Sequence, residues 1–277
     1  MKKQKLTALC HKISMEKGLP FNSILTYYFL ENILEHLAKS PYNEKLVFKG
    51  GFLLSNMLGL ETRSTVDIDL LIRNTALEEN NILKIFTEAL KTADNGDISY
   101  TVQKISPIKE ESEYGGLRVN VLCCLENIKV PVQLDIATGD VITPDSFSYN
   151  YKSVFGSQNI GIYAYPLETM IAEKLQTIYS RGFLNTRSKD YYDLYILYKL
   201  KKDELNIVTL KEACIRTFDY RDTEFSPKKI IELLDNLKDD NNFLSRWNTY
   251  AKKNTYVKGI SFIEALSEIK NLLNFIS

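Results

Sequence analysis

Residues 46–71 read Leu46-Val47-Phe48-Lys49-Gly50-Gly51-Phe52-Leu53-Leu54-Ser55-Asn56-Met57-Leu58-Gly59-Leu60-Glu61-Thr62-Arg63-Ser64-Thr65-Val66-Asp67-Ile68-Asp69-Leu70-Leu71. A short apolar run meets a glycine pair, a helix-like stretch follows, and a second apolar run carries two aspartates one residue apart. The alternation in Val66–Leu71 predicts a strand, with Asp67 and Asp69 on one face and Ile68 and Leu70 on the other. Neighbours on one strand face are roughly 6–7 Å apart, so the two carboxylates can converge on divalent ions about 3.5–4 Å from each other. Gly50-Gly51 suits a turn in which backbone N–H groups approach phosphate with no Cβ between. The helix after it would add partial positive charge. Ser64 and Thr65 either donate hydroxyls to phosphate or close the turn before the aspartates. The spacing fits a phosphate cradle beside a paired-carboxylate metal site.

A third carboxylate lies farther on. Lys129–Ile136 predicts a strand with Val132, Leu134 and Ile136 facing one way and Gln133 and Asp135 the other. Pro131 suits its first residues or an edge. Asp135 is either a ligand to the same metals or part of a solvated polar face. If it lies beside Asp67 and Asp69, it would help lower the pKa of an attacking hydroxyl.

A later block adds charged residues to a helical pattern. Pro166–Tyr179 predicts an amphipathic helix with Leu167, Met170, Ile171, Leu175 and Ile178 as its stripe. Lys174 flanks that stripe, either as an ordinary rim lysine or with its ammonium reaching a triphosphate. Arg181 lies two turns on, near the same face, and can meet phosphate or RNA. A second helix is expected from about Thr186–Ser188, with Asp190 in its first turn complementing the helix dipole.

These residues resemble the nucleotidyltransferase superfamily, and within it the AbiEii toxin family. The resemblance rests on Lys49-Gly50-Gly51, on Ser64-Thr65-Val66-Asp67-Ile68-Asp69, on Glu173-Lys174, and on Arg187-Ser188-Lys189-Asp190-Tyr191-Tyr192-Asp193-Leu194-Tyr195. It implies an α+β fold: a minimal, polymerase-beta-like nucleotidyltransferase domain with a mixed sheet and flanking helices, then a helical domain. The expected division is 1–140 and 141–277, with the second part forming the other wall of a cleft. The resemblance further implies a Mg²⁺-dependent transfer of a nucleoside monophosphate from an NTP to a hydroxyl, with tRNA as the acceptor. The setting would be growth arrest in antiphage abortive infection, opposed by a co-encoded antitoxin. Two Mg²⁺ ions would be held by Asp67, Asp69 and Asp135. Lys49, Gly50, Gly51, Ser64, Thr65, Lys174 and Arg181 would contact the nucleotide, and Asp190 would be a site residue of undefined role. The wider superfamily favours Gly-Ser where this chain has Gly50-Gly51, so one serine contact to phosphate is missing there. Two alternatives stay open: a toxin that binds GTP or another NTP without transferring it, and a transferase acting on protein hydroxyls.

Composition sets outer limits. The chain has 277 residues, 44% of them apolar, enough for one large domain or two small ones. No run of about 18 apolar residues suggests a membrane span and no signal peptide is evident, so a cytoplasmic protein without membrane association is expected. The 35 basic residues balance the 35 acidic ones, which argues against wholesale wrapping of nucleic acid and leaves room for a local basic patch. The first 17 residues carry five lysines against Glu16 alone, read as a solvated stretch or an RNA-docking one. Four cysteines without metal spacing are expected to be free thiols, with Cys123 and Cys124 on opposite faces of a strand. Trp247, Tyr250 and Tyr256 near Arg246, Lys252 and Lys253 either pack a core or stack bases.

Helices are expected over 5–17, 21–39, 76–92, 167–181, 188–201, 204–217, 227–237 and 260–275. Strands are expected over 98–106, 117–125 and 129–137 besides those flanking the glycine pair, with turns at 94–97 and 110–116 and a connector at about 138–165.

Overall fold

The computed structural model describes residues 1–65, 67–91, 97–108, 115–156 and 158–277. Val66, and most of the turns expected at 94–97 and 110–116, lie outside the described residues. The chain forms two units: residues 1–140 with 147–164, and residues 141–146 with 165–277.

The first unit begins with α1 (Lys3–Lys17) and α2 (Phe21–Lys39), then β1 (Leu46–Lys49), α3 (Gly50–Leu58), β2 (Asp67–Ile72) and α4 (Glu79–Lys91). The strands β3 (Ile98–Pro107), β4 (Leu117–Leu125), β5 (Ile128–Ala137), β6 (Phe147–Lys152) and β7 (Asn159–Ala164) follow. Among the described residues, these seven strands join one mixed sheet in the order β3-β4-β5-β2-β1-β7-β6. β2 is antiparallel to β1 and parallel to β5, and β1 is parallel to β7.

Period-two alternation divides this sheet. On β4, Leu117, Val119, Val121, Cys123 and Leu125 are buried, and so are Val132, Leu134 and Ile136 on β5. The intervening polar residues share the other face. Helix α2 packs against α1, α4, β5 and β7, which explains why Phe29, Leu30, Ile33, Leu34 and Leu37 are all fully buried. A helix enclosed on several sides needs apolar residues beyond a single stripe. The lysine-rich start is a packed helix: Leu6, Cys10 and Ile13 of α1 are buried, and Lys17 pairs with Glu61 at 2.8 Å.

The expected connector at 138–165 contains β6 and β7, so the sheet claims 147–164. Its alternating Tyr149 and Tyr151 were the available signal. Tyr151 is fully buried, and its hydroxyl donates to Tyr27 at 2.9 Å.

The second unit holds α5 (Leu167–Arg181), α6 (Ser188–Lys201), α7 (Ile207–Tyr220), α8 (Pro227–Leu237), α9 (Asn241–Lys253) and α10 (Phe262–Phe275). α6 contacts α5, α9 and α10, and every residue from Asp190 to Tyr198 is buried. Side-chain caps start four of these helices: Asn206, Ser226 before Pro227, Asp240 and Ser261 each accept a backbone N–H. Helix α9 has no counterpart among the expected elements. Trp247 on it is core, with its indole N–H donated to the Ile260 carbonyl at 2.9 Å. Tyr250 and Tyr256 pack with Tyr192. The Arg246 guanidinium covers the Phe243 ring and donates to the Asn185 carbonyl. Core packing therefore accounts for Trp247 and its tyrosine neighbours, and no base-stacking role is needed. All four cysteines are free; Cys123 is buried and Cys124 partly exposed.

Candidate active site

Pairing register gathers the first unit's charged residues into rows. Lys49 on β1 is opposite Asp69 on β2, Asp69 is opposite Asp135 on β5, and Asp135 is opposite Arg118 on β4. Residues that face each other across a ladder share a sheet face. Lys49, Asp69, Asp135 and Arg118 thus form one transverse line on four adjacent strands, with the cations outside and the carboxylates inside. A second line one pleat away holds Asp67, Gln133, Asn120 and Lys104. Gln133 donates to the Asn120 side chain at 3.1 Å.

Each charge in the first line has a partner. Arg118 grips Asp135 in a fork, Nε to Oδ1 and Nη2 to Oδ2, both at 2.7 Å. The Lys49 ammonium pairs with Asp140, just beyond β5, in a largely enclosed setting. Asp67, at the start of β2, is exposed.

The glycine pair meets these carboxylates through close packing. Gly50 has φ +69°, a left-handed conformation that an L side chain rarely adopts, and a Cβ there would lie 2.0 Å from Asp69 Oδ2. The Asp69 carboxylate is therefore seated against the first residue of α3, where the helix dipole favours negative charge. A Cβ on Gly51 would come within 3.1 Å of Arg63 Nη2 and 3.3 Å of the Thr65 side chain. Arg63 is buried and donates to the Ser64 carbonyl at 2.6 Å. Thr65 Oγ1 accepts the Asp67 N–H at 3.4 Å, a turn-closing contact. Ser64 and Thr65 also line a cavity of about 190 Å³ with Leu19, Ser23, Ile24, Tyr27 and Leu60.

Carboxylate oxygens are the hard donors Mg²⁺ prefers, and Gly50 leaves room for the Asp69 carboxylate where a Cβ would collide with it. Asp67, Asp69 and Asp135 are chemically suited to divalent cations. Among the described residues, no three His, Cys, Asp or Glu side chains are already gathered as an ion cage, and Asp135 is engaged by Arg118.

Lys174, Arg181 and Asp190 lie in the second unit. Lys174 on α5 is held by two carboxylates of α6, Asp193 Oδ2 at 2.7 Å and Asp190 Oδ1 at 3.3 Å. Both aspartates are buried, and the Arg187 guanidinium approaches Asp190 Oδ2 at 3.0 Å. Asp193 is the closer of Lys174's two carboxylate partners. Arg181 ends α5 and is partly exposed.

Sequence reasoning missed Arg118, Asp140 and Arg63. The first had a signal. Leu125 and Ile128 pair across Glu126-Asn127, and extending that short hairpin places Arg118 opposite Asp135.

An α+β unit whose mixed sheet displays this carboxylate row, followed along the chain by a helical unit, is the architecture expected of minimal nucleotidyltransferases. The family model for the nucleotidyl transferase AbiEii toxin of type IV toxin–antitoxin systems matches residues 32–267. The chain belongs to that family. Two solved structures share the fold at 18% identity and a TM-score of 0.54. One, from H. pylori, is described as a candidate nucleotidyltransferase; the match covers 93% of this chain and 96% of that one. The other is JHP933 from Helicobacter pylori, with 92% and 91% covered. No curated protein matches the chain. Among the described residues, no helix is long and apolar enough to cross a membrane.

Proposed function

We propose that this protein is a Mg²⁺-dependent nucleotidyltransferase toxin that joins a nucleoside monophosphate to a hydroxyl of tRNA. The acceptor oxygen bonds to the α-phosphorus, the bond from that phosphorus to the bridging oxygen breaks, and pyrophosphate leaves. The observation that carries this reading is Asp67 and Asp69 on one face of β2, with Asp135 in register beside Asp69. Asp67, Asp69 and Asp135 would hold Mg²⁺, which when bound offsets phosphate charge and makes the acceptor hydroxyl more acidic.

The chain's own groups are assigned as follows. Lys49, the N–H groups at Gly50 and Gly51, Ser64 and Thr65 orient the triphosphate. Asp135 assists removal of the acceptor proton. Within the helical unit, Asp190 fixes the Lys174 ammonium together with Asp193. Growth arrest during phage infection, relieved by a co-encoded antitoxin, is the biological role that follows from family membership.

A second reading is favoured by the Arg118–Asp135 fork. With Asp135 engaged, the protein would bind an NTP and transfer nothing.

The test is incubation with Mg²⁺, bacterial tRNA and each α-labelled NTP, beside Asp67→Asn. Label on tRNA from one NTP, absent with the variant, is expected. Label on protein would redirect the acceptor to a protein hydroxyl. Saturable NTP binding without any labelled product would support the second reading.

A further inference from the structure

Asp69 and Asp135 are in-register neighbours on adjacent strands, which lie roughly 4.8 Å apart. Two carboxylates so placed repel each other unless positive charge is supplied. Arg118 supplies it at Asp135, while Lys49, in register with Asp69, directs its ammonium to Asp140. The Asp135 charge at rest is balanced by the Arg118 guanidinium.

We propose that Arg118 is a positioning residue that stands in for a divalent cation at Asp135 and yields the carboxylate when the metal arrives. This rests on the reading of Asp135 as a metal ligand. Three features support exchange over a permanent brace. The fork takes an acceptor site on each carboxylate oxygen, so a cation that chelates Asp135 through both oxygens competes with Arg118 for them. The side chains keep 39% and 23% of their exposure, so solvent and ions reach the pair. A half-exposed pair is weak compared with a buried one, and a divalent ion brings twice the charge to the same oxygens. Arg118 thereby sets a threshold: Asp135 becomes available only where the incoming metal outcompetes it.

A brace and a stand-in differ in sign when Arg118 is removed. Mn²⁺ binding is measured on the full chain without nucleotide, by loss of the free-ion electron paramagnetic resonance signal. Wild type is compared with Arg118→Gln, Arg118→Lys, Asp135→Asn and the Arg118→Gln/Asp135→Asn double variant. Arg118→Gln is expected to bind Mn²⁺ about five-fold more tightly, the factor that release from a pair worth about 1 kcal/mol gives. The double variant should lose that gain, and Arg118→Lys should fall between wild type and Arg118→Gln. Mn²⁺ affinity equal to or weaker than wild type in Arg118→Gln, with Asp135→Asn still impaired, overturns the exchange and leaves the metal reading standing. Affinity unchanged by Asp135→Asn would remove Asp135 from the metal site and the proposal with it. Far-UV circular dichroism of each variant checks that the fold is kept.

Discussion

Gly50→Ala is the sharpest test of how the glycine pair and the carboxylate row are built together. An alanine there would keep φ near +69°, a conformation costing roughly 1–2 kcal/mol for a residue with a Cβ. Its methyl would also fall 2.0 Å from Asp69 Oδ2 and 2.7 Å from Cγ, an overlap that forces movement and adds about 1–3 kcal/mol. The expected loss is therefore about 2–5 kcal/mol. In an Asp69→Ala background the 2.0 and 2.7 Å overlaps are gone, the Cβ contact at 2.9 Å stays, and about 1–2 kcal/mol, mostly backbone strain, should remain. Gly51→Ala is the control: its methyl would meet Arg63 and Thr65 at 3.1–3.3 Å, and small shifts of those side chains should leave stability nearly unchanged. The assay is urea unfolding by far-UV circular dichroism. Trp247, the sole tryptophan, is in the helical unit, so its fluorescence identifies the transition that does not belong to the sheet. Equal losses for Gly50→Ala with and without Asp69, or equal losses at Gly50 and Gly51, would refute the steric argument.

Two further expectations concern buried charge. Burial pushes the Glu31 carboxyl up to about 7, above the ordinary 4.5, even though the Val154 N–H donates to it. The folded chain then keeps a proton that the unfolded chain loses, so stability should fall as pH rises from about 4.5 to about 7 and level off above. Glu31→Gln should remove up to about 3 kcal/mol of that slope in urea unfolding across this window; parallel curves for the two proteins would refute it. Lys174→Met leaves Asp193 buried without its 2.7 Å partner and should cost the helical unit about 3–5 kcal/mol. Trp247 fluorescence in urea reads this, and a loss under about 1 kcal/mol would show that the cluster is well solvated.

Much of the sheet was legible because one face is buried and strand side chains alternate. Ile68 and Leu70 are fully buried beside the more open Asp67 and Asp69, and Leu134 and Ile136 flank Asp135 in the same way. The strands at 147–152 and 159–164 gave a weaker signal. The first exposes or half-exposes all but Tyr151, and the second carries Gly161 at its centre. Helix α9 buries only Phe243 and Trp247, one turn apart, and its asparagines resemble a loop. The ion pairs of Arg118 and Lys49 depend on which strands adjoin. Of these, only the β4–β5 hairpin could be paired from local sequence, which is why Arg118 was recoverable in principle and Asp140 was not.

The order in which the chain fills its two units governs how it can be taken apart. It leaves the first at Asp140, returns at Phe147, and leaves again after Ala164. A truncation after residue 140 would strip β7 from β1, where Val47 and Phe48 pair with Tyr163 and Ala164. Unpaired backbone beside buried apolar side chains makes an edge that invites strand-to-strand aggregation. Proteolysis in 141–146 would nick the chain without releasing a sheet fragment, because β6 and β7 remain hydrogen-bonded into it. A fragment carrying the whole sheet must extend to residue 164, with 141–146 retained as a tether inside it.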